Sequence, residues 1–358
     1  MSVYGNGFLA YHVEVRVSPG QAESVKRELG SSKQAFRDAA TWPGFPGSLF
    51  ERLRCIPGVV DVVAEGPQSA VLIPLRMVQG MTGMPCTLSA VLGTGAIAVA
   101  IESALAQWGI GLEVAKRLAD ADSPLEFSFR DPQGEQASLL LYPASRAKYR
   151  AALKSAAHAP GHLVLNRFNG GLHRLARQVV ERDGLVSLRP RELGQHDRIE
   201  DYVALLEQST HLVLSTRHGV LREFARHAGI AAGRGWPENL KTLNDPGLER
   251  LATWLLARMP AGAIVVFHRY ARGDSVFWRG RSGPQLVPAP AGYDAASRAA
   301  RIQGALLGAV LQAEDHPLPG EDGADWRRWC ERVIEIAFDG TGSRPWAYPA
   351  SSATYSPN

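Results

Sequence analysis

From residue 163 onward, short apolar runs alternate with amphipathic helical patterns, and this rhythm constrains the fold more than any other feature of the chain. Residues 163–165, 185–188, 211–214 and 263–267 are nearly continuous in Val, Leu, Ile and Phe. Runs of that kind suit strands buried on both faces. Helical patterns occupy residues 172–183, 199–208, 219–227 and 248–258, and another covers 298–313. A strand returns to the start of a parallel neighbour only through a crossover, usually a helix. The rhythm therefore predicts an α/β fold, with a central, mostly parallel sheet flanked by helices on both faces.

The first half reads differently. Residues 3–17 form a strand pattern in which Val13, Val15 and Val17 alternate with Glu14 and Arg16, so one face is wet and one buried. Residues 19–54 are mainly helical and polar, interrupted at Trp42-Pro43-Gly44-Phe45-Pro46-Gly47. Residues 59–64 and 70–75 read as short strands and 79–85 as a loop. Gly93-Thr94-Gly95 is a glycine turn opening an Ala-rich helix that stops near Gly109. Further strands are expected at 112–115, 125–130 and 137–142, and a helix at 144–157.

Charge excludes some roles. With 39 basic and 35 acidic residues the net charge is +4, too small an excess for a nucleic-acid binder. Cys55, Cys86 and Cys330 are far apart and odd in number, so neither a disulfide framework nor a zinc site is expected, and a reducing cytoplasm fits. His158 and His162 lack a third ligand at metal spacing and read as loop histidines. No signal peptide or membrane span is expected. Trp326, Trp329, Ile334 and Ala337 form the stripe of an amphipathic helix within a C-terminal extension at 315–338. That stripe docks on this chain's own core or on a protein partner, including a second copy. Residues 339–358, rich in Pro, Ser, Gly and Tyr, read as a loosely attached tail.

The segment Asp294-Ala295-Ala296-Ser297-Arg298-Ala299-Ala300-Arg301-Ile302-Gln303-Gly304-Ala305-Leu306-Leu307 resembles the active-site loop and following helix of ribokinase-like (PfkB-type) sugar and nucleoside kinases. In that family the loop reads Asp-Thr-Thr-Gly-Ala-Gly-Asp. Here Ser297-Arg298-Ala299 stand where the glycines belong, and Ala300 where the catalytic base belongs. Weaker likenesses follow in the family's order. Residues 3–10 resemble the opening strand with its Gly-Asn-x-x-x-Asp, Ala10 replacing the Asp and His12 lying just beyond. Residues 93–100 are similar to the Gly-Gly-x-x-x-Asn-x-Ala substrate turn, Ala98 replacing the Asn. Leu185-Val186-Ser187-Leu188-Arg189-Pro190-Arg191 is similar to the strand ending in Asp-Pro-Asn. His211-Leu212-Val213-Leu214-Ser215-Thr216-Arg217-His218 is similar to the strand ending in Asn-x-x-Glu, with Thr216 and Gly219 in the polar places. Residues 264–273 resemble the nucleotide strand and its glycine turn, in which Gly273 survives and Tyr270 replaces a glycine.

The resemblance implies a ribokinase-like domain over residues 1–314 with an insert or lid at about 18–90. It implies a nucleotide, ATP or ADP, near Ser215, Arg217, His268, Gly273, Ser297 and Arg298. It implies a sugar-like or small anionic ligand near Gly93, Gly95, Asn166 and Arg189. Residues that build the fold match, whereas residues that bind metal, phosphate and substrate do not. The expectation is a kinase-like protein that has lost phosphotransfer and serves as a ligand-binding or partner subunit, with magnesium argued against. Three other readings stay open. In one, an active kinase uses a displaced base, for which Asp294 is the candidate, although Asp294 also suits a helix cap. The second is an unrelated α/β enzyme or binding protein with an Arg-rich anion pocket. The third is a structural scaffold.

Overall fold

A computed structural model describes residues 2–31, 45–144, 149, 160–166, 170–190, 198–215, 219–230, 245–269, 274–278, 285–287, 295–312 and 323–338. Its strands are β1 (Val3–Asn6), β2 (Ala10–Val17), β3 (Val59–Gln68), β4 (Cys86–Leu92), β5 (Gly111–Arg117), β6 (Leu125–Arg130), β7 (Gln136–Leu141), β8 (His162–Leu165), β9 (Val186–Leu188), β10 (His211–Ser215), β11 (Ile264–His268), β12 (Asp274–Trp278) and β13 (Gln285–Val287). Its helices are α1 (Ala22–Ser31), α2 (Gly47–Arg54), α3 (Leu72–Thr82), α4 (Ala96–Gln107), α5 (Gly170–Val180), α6 (Ile199–Leu206), α7 (Gly219–His227), α8 (Asp245–Leu256), α9 (Ala295–Leu311) and α10 (Gly323–Phe338). Two compact units result, one from Met1–Asn6, Val71–Thr87 and Ala152–Asn358, the other from Gly7–Ala70 and Leu88–Ala151.

The first unit is the α/β layer structure that the rhythm predicts. Its strands run in the order β13-β12-β11-β10-β9-β8-β1, followed by the start of β4. β1, β8, β9, β10 and β11 are mutually parallel. β12 and β13 add an antiparallel edge that short, turn-flanked runs did not betray in the sequence. Alternation along the central strands sends side chains to both faces. Val265 and Phe267 enter a core with Leu175, Phe224 and Leu251 of α5, α7 and α8. Ile264 and Val266 enter a second core with Ile302 and Leu306 of α9 and Val333 of α10. Each fully buried Val, Leu or Ile contributes about 1.5–3 kcal/mol relative to exposure.

The expected strand at 70–75 and loop at 79–85 are instead mostly helix α3. Pro74 sits in its first turn, where a missing N–H costs little. Leu72, Leu75 and Val78 recur at helical spacing and are buried, and Gly83 ends the helix at φ 69°. α9 packs against α3 through two glycines. A Cβ on Gly304 would lie 2.8 Å from Pro74 Cα, and one on Gly308 2.6 Å from Met81 Sδ.

The second unit contains a four-stranded sheet ordered β3-β2-β6-β7. The expected single strand at 3–17 is thus two strands, one in each unit. Helices α1 and α2 cover the four-stranded sheet. Asp131 clips its β6–β7 turn to the start of α1, accepting N–H bonds from Gly20 (2.9 Å), Gln133 (2.9 Å) and Glu135 (2.7 Å). The Gly20 N–H in particular holds that carboxyl below its usual range. Among the described residues no helix is long and apolar enough to cross a membrane. The three cysteines are free.

Candidate functional site

In the first unit, the carboxyl ends of four adjacent parallel strands gather polar residues from widely separated parts of the sequence. Asn166 follows β8, Arg189 follows β9, Ser215 ends β10 and His268 ends β11. Asn166, Arg189 and His268 are buried. Open α/β sheets bind ligands along this edge, where loops diverge and backbone groups are free. Arg189 is only 2% exposed, and its Nε donates to Gln303 Oε1 of α9 at 3.1 Å. Gln303 Nε2 in turn donates to Leu165 O (3.3 Å) and Ser187 O (3.1 Å). One amide thus ties the guanidinium to two neighbouring strands. Asn166 Oδ1 and Ser187 Oγ are buried and have no hydrogen-bond partner among the described residues. A buried polar atom in that state is costly and needs a physical explanation.

Helix α9 begins at Ala295, so Ser297, Arg298, Ala299 and Ala300 all lie within helical turns. From its fifth residue on, a helix uses each N–H internally. Ala299 and Ala300 are each 1% exposed. Arg298 places its guanidinium 5.3 Å from the Phe338 ring, and Arg301 Nη1 donates to Ala337 O at 3.4 Å. Both arginines are buried and engage the carboxyl end of α10, where cations are favoured by the helix dipole. His158, Arg191, Thr216, Arg217, His218, Tyr270, Gly273 and Asp294 lie outside the described residues.

In the second unit, the glycine turn after β4 is closed by residues of the same unit. Gly93 N donates to Ser123 Oγ (3.1 Å) and Thr94 N to Ala121 O (3.1 Å). Ile97 N donates to Asp122 Oδ2 (3.1 Å) and Ala98 N to Asp122 Oδ1 (3.0 Å). Those N–H groups open α4, and a helix amino end attracts negative charge. Here Asp122 supplies it. Asp122 is 1% exposed, and burial lifts its carboxyl above the usual range against the pull of the Ile97, Ser123, Ala98 and Gly95 N–H groups. Gly93 is required for this closure, because a Cβ there would lie 2.3 Å from Ala121 O. Tyr149 OH donates to Asp122 O at 2.6 Å, and burial pushes that phenol up to about 12.

Gln303 and Asp122 were not singled out from the sequence. Gln303 left a faint signal, as a polar residue inside an apolar helical stripe. Asp122 left none, because the helix it caps starts 26 positions earlier, at Ala96. Among the described residues no group of His, Cys, Asp or Glu could hold a metal ion.

No protein-family model matches the sequence, and no curated protein matches it. Solved structures do match over almost the whole chain. Adenosine kinase from Trypanosoma brucei brucei shares 18% identity at a TM-score of 0.58, covering 94% of this chain and 97% of that one. Ribokinase from Thermotoga maritima shares 10% identity at a TM-score of 0.58, covering 96% and 95%. Ribokinase from Cryptococcus neoformans var. grubii, determined with ADP, shares 11% identity at a TM-score of 0.56, covering 94% and 92%. The fold is ribokinase-like. This ribokinase-like chain has the central, mostly parallel sheet between helices that its sequence leads one to expect.

Proposed function

We propose that this ribokinase-like protein does not transfer phosphate and works as a non-catalytic partner subunit. Ala300 carries the reading. By the resemblance it occupies the place of the catalytic base, and it is a methyl group buried in the second turn of α9. Phosphoryl transfer relies on positioning, on neutralising developing charge and on a group that accepts the substrate proton. A buried alanine does none of these. The glycine-loop positions are helical, so the N–H groups of Ala299 and Ala300 are spent inside α9. Arg189, Arg298 and Arg301 are occupied with Gln303 and the end of α10. The turn expected to hold a sugar is closed by Asp122.

A second reading draws on Asn166 and Ser187. Their buried, unpartnered oxygens suit a small polar ligand, including a nucleotide held without magnesium. Neighbours of this fold include the ribokinase determined with ADP and an Anopheles gambiae adenosine kinase determined with a diadenosine tetraphosphate.

The test is a phosphotransfer assay with magnesium–ATP and magnesium–ADP over sugars and nucleosides, run beside thermal melts with each nucleotide with and without magnesium. No turnover and no shift is the expected result. A shift indifferent to magnesium establishes the second reading, since a ligand that binds only the folded state raises its stability. Magnesium-dependent turnover that disappears in Asp294→Asn overturns the proposal in favour of a displaced base.

A further inference from the structure

Among the described residues, the second unit carries an open sheet edge. β5 is the last strand in its sheet order, and Gly111, Ala115, Lys116 and Arg117 are exposed along it. A terminal strand presents a row of N–H and C=O groups that no strand pairs, and proteins commonly blunt such edges with proline or charged side chains, lysine above all. β5 has no proline, and its charges are patterned. Glu113 is half-buried, and its carboxylate makes no hydrogen bond or ion pair with any described residue. Arg117 is fixed in place, because Nη1 donates to Gly93 O at 3.1 Å and Nη2 pairs with Glu102. Its five N–H donors leave capacity for another carboxylate.

We propose that β5 pairs antiparallel with β5 of a second copy, about a two-fold axis at Ala115. An isologous contact makes each residue meet its partner twice. In a symmetric antiparallel pair, residues equally far from the axis on opposite chains stand opposite each other on one face. An axis at Ala115 therefore places Glu113 of each copy opposite Arg117 of the other. The unpaired carboxylate gains an anchored cation, and the smallest side chain near the strand centre lies at the crossing. The neighbouring registers are worse. An axis at Glu113 or Lys116 sets like charges against each other, and one at Val114 leaves Glu113 facing Ala115 and Lys116 facing Leu112. Opposite charges directly across a strand pair stabilise it, and like charges oppose it.

The interaction is independent of any phosphotransfer and is tested on the full chain by sedimentation equilibrium. The wild type is expected to be a dimer. Glu113→Arg and Arg117→Glu should each weaken the dimer roughly tenfold or more, because each sets like charges opposite twice. Glu113→Gln should weaken it less than Glu113→Arg. Mixing the two charge-reversed variants should restore dimers, since every reversed position then faces its opposite; that recovery also excludes misfolding. A wild type monomeric at about 0.1 mM, a concentration at which even a weak complex is populated, overturns the proposal. So does a dimer unaffected by Glu113→Arg.

Discussion

Asp122 reaches back to Ile97, accepting its backbone N–H at 3.1 Å and so capping the amino end of α4 with a fully buried carboxylate. A ligand would meet the same N–H groups, so this contact decides what the glycine turn can do. Asp122→Ala is expected to leave at least two buried donors unpaired and to lower stability by about 2 kcal/mol. Urea denaturation at neutral pH measures it. A loss below the error of extrapolation would show that water replaces the carboxylate.

His211, on β10, supplies a pH dependence. Burial lowers its pKa from 6.5 to about 4. A base with a depressed folded pKa contributes stability that is complete above its unfolded value of 6.5 and is lost as pH falls toward 4. The loss should be about 3 kcal/mol across that window. Burial shifts His162 in the same direction. His211→Leu should flatten the slope of unfolding free energy between pH 7 and pH 4, and an unchanged slope assigns the dependence elsewhere.

The two glycines of α9 should respond unequally to alanine. At Gly304 the new methyl meets Pro74 Cα at 2.8 Å, which is backbone and cannot move alone. At Gly308 it meets Met81 Sδ at 2.6 Å, part of a flexible side chain. Gly304→Ala should cost about 1–3 kcal/mol by overpacking. Gly308→Ala should be closer to neutral, because alanine favours a helix by about 1 kcal/mol over glycine. Thermal melts of both variants rank them, and the reverse order would mean that α3 and α9 pack differently.

Restoring an acid at Ala300 should fail. The site is 1% exposed, so Ala300→Asp buries a carboxylate and should destabilise the fold by about 3 kcal/mol or more. No phosphotransfer is expected. A stable variant with magnesium-dependent turnover would place residue 300 in an open site and contradict the non-catalytic reading.

What the sequence by itself determined is local. Val265 and Phe267 alternate with Ile264 and Val266, and that period alone predicts a strand buried on both faces. Residues 163–165 and 211–214 are legible for the same reason, as is the buried face of α9 through Ile302, Ala305 and Leu306. Period and composition misread residues 70–82, because Pro74 and the glycines resemble turn punctuation until a helix start is known. Side-chain partners are not legible in the sequence. Arg189 is legible as a residue that follows a strand, yet what it touches depends on Gln303, whose bond to it spans 114 positions. The resemblance puts Arg298 near a nucleotide, and in the fold Arg298 and Arg301 are buried against the end of α10. The Asp122 cap likewise exists only once β4, α4 and the loop before β6 are brought together. Hydrophobic period acts between neighbours in sequence, but the fate of a buried charge is settled by whatever the folded chain places within 3 Å of it, and only the tertiary structure decides that.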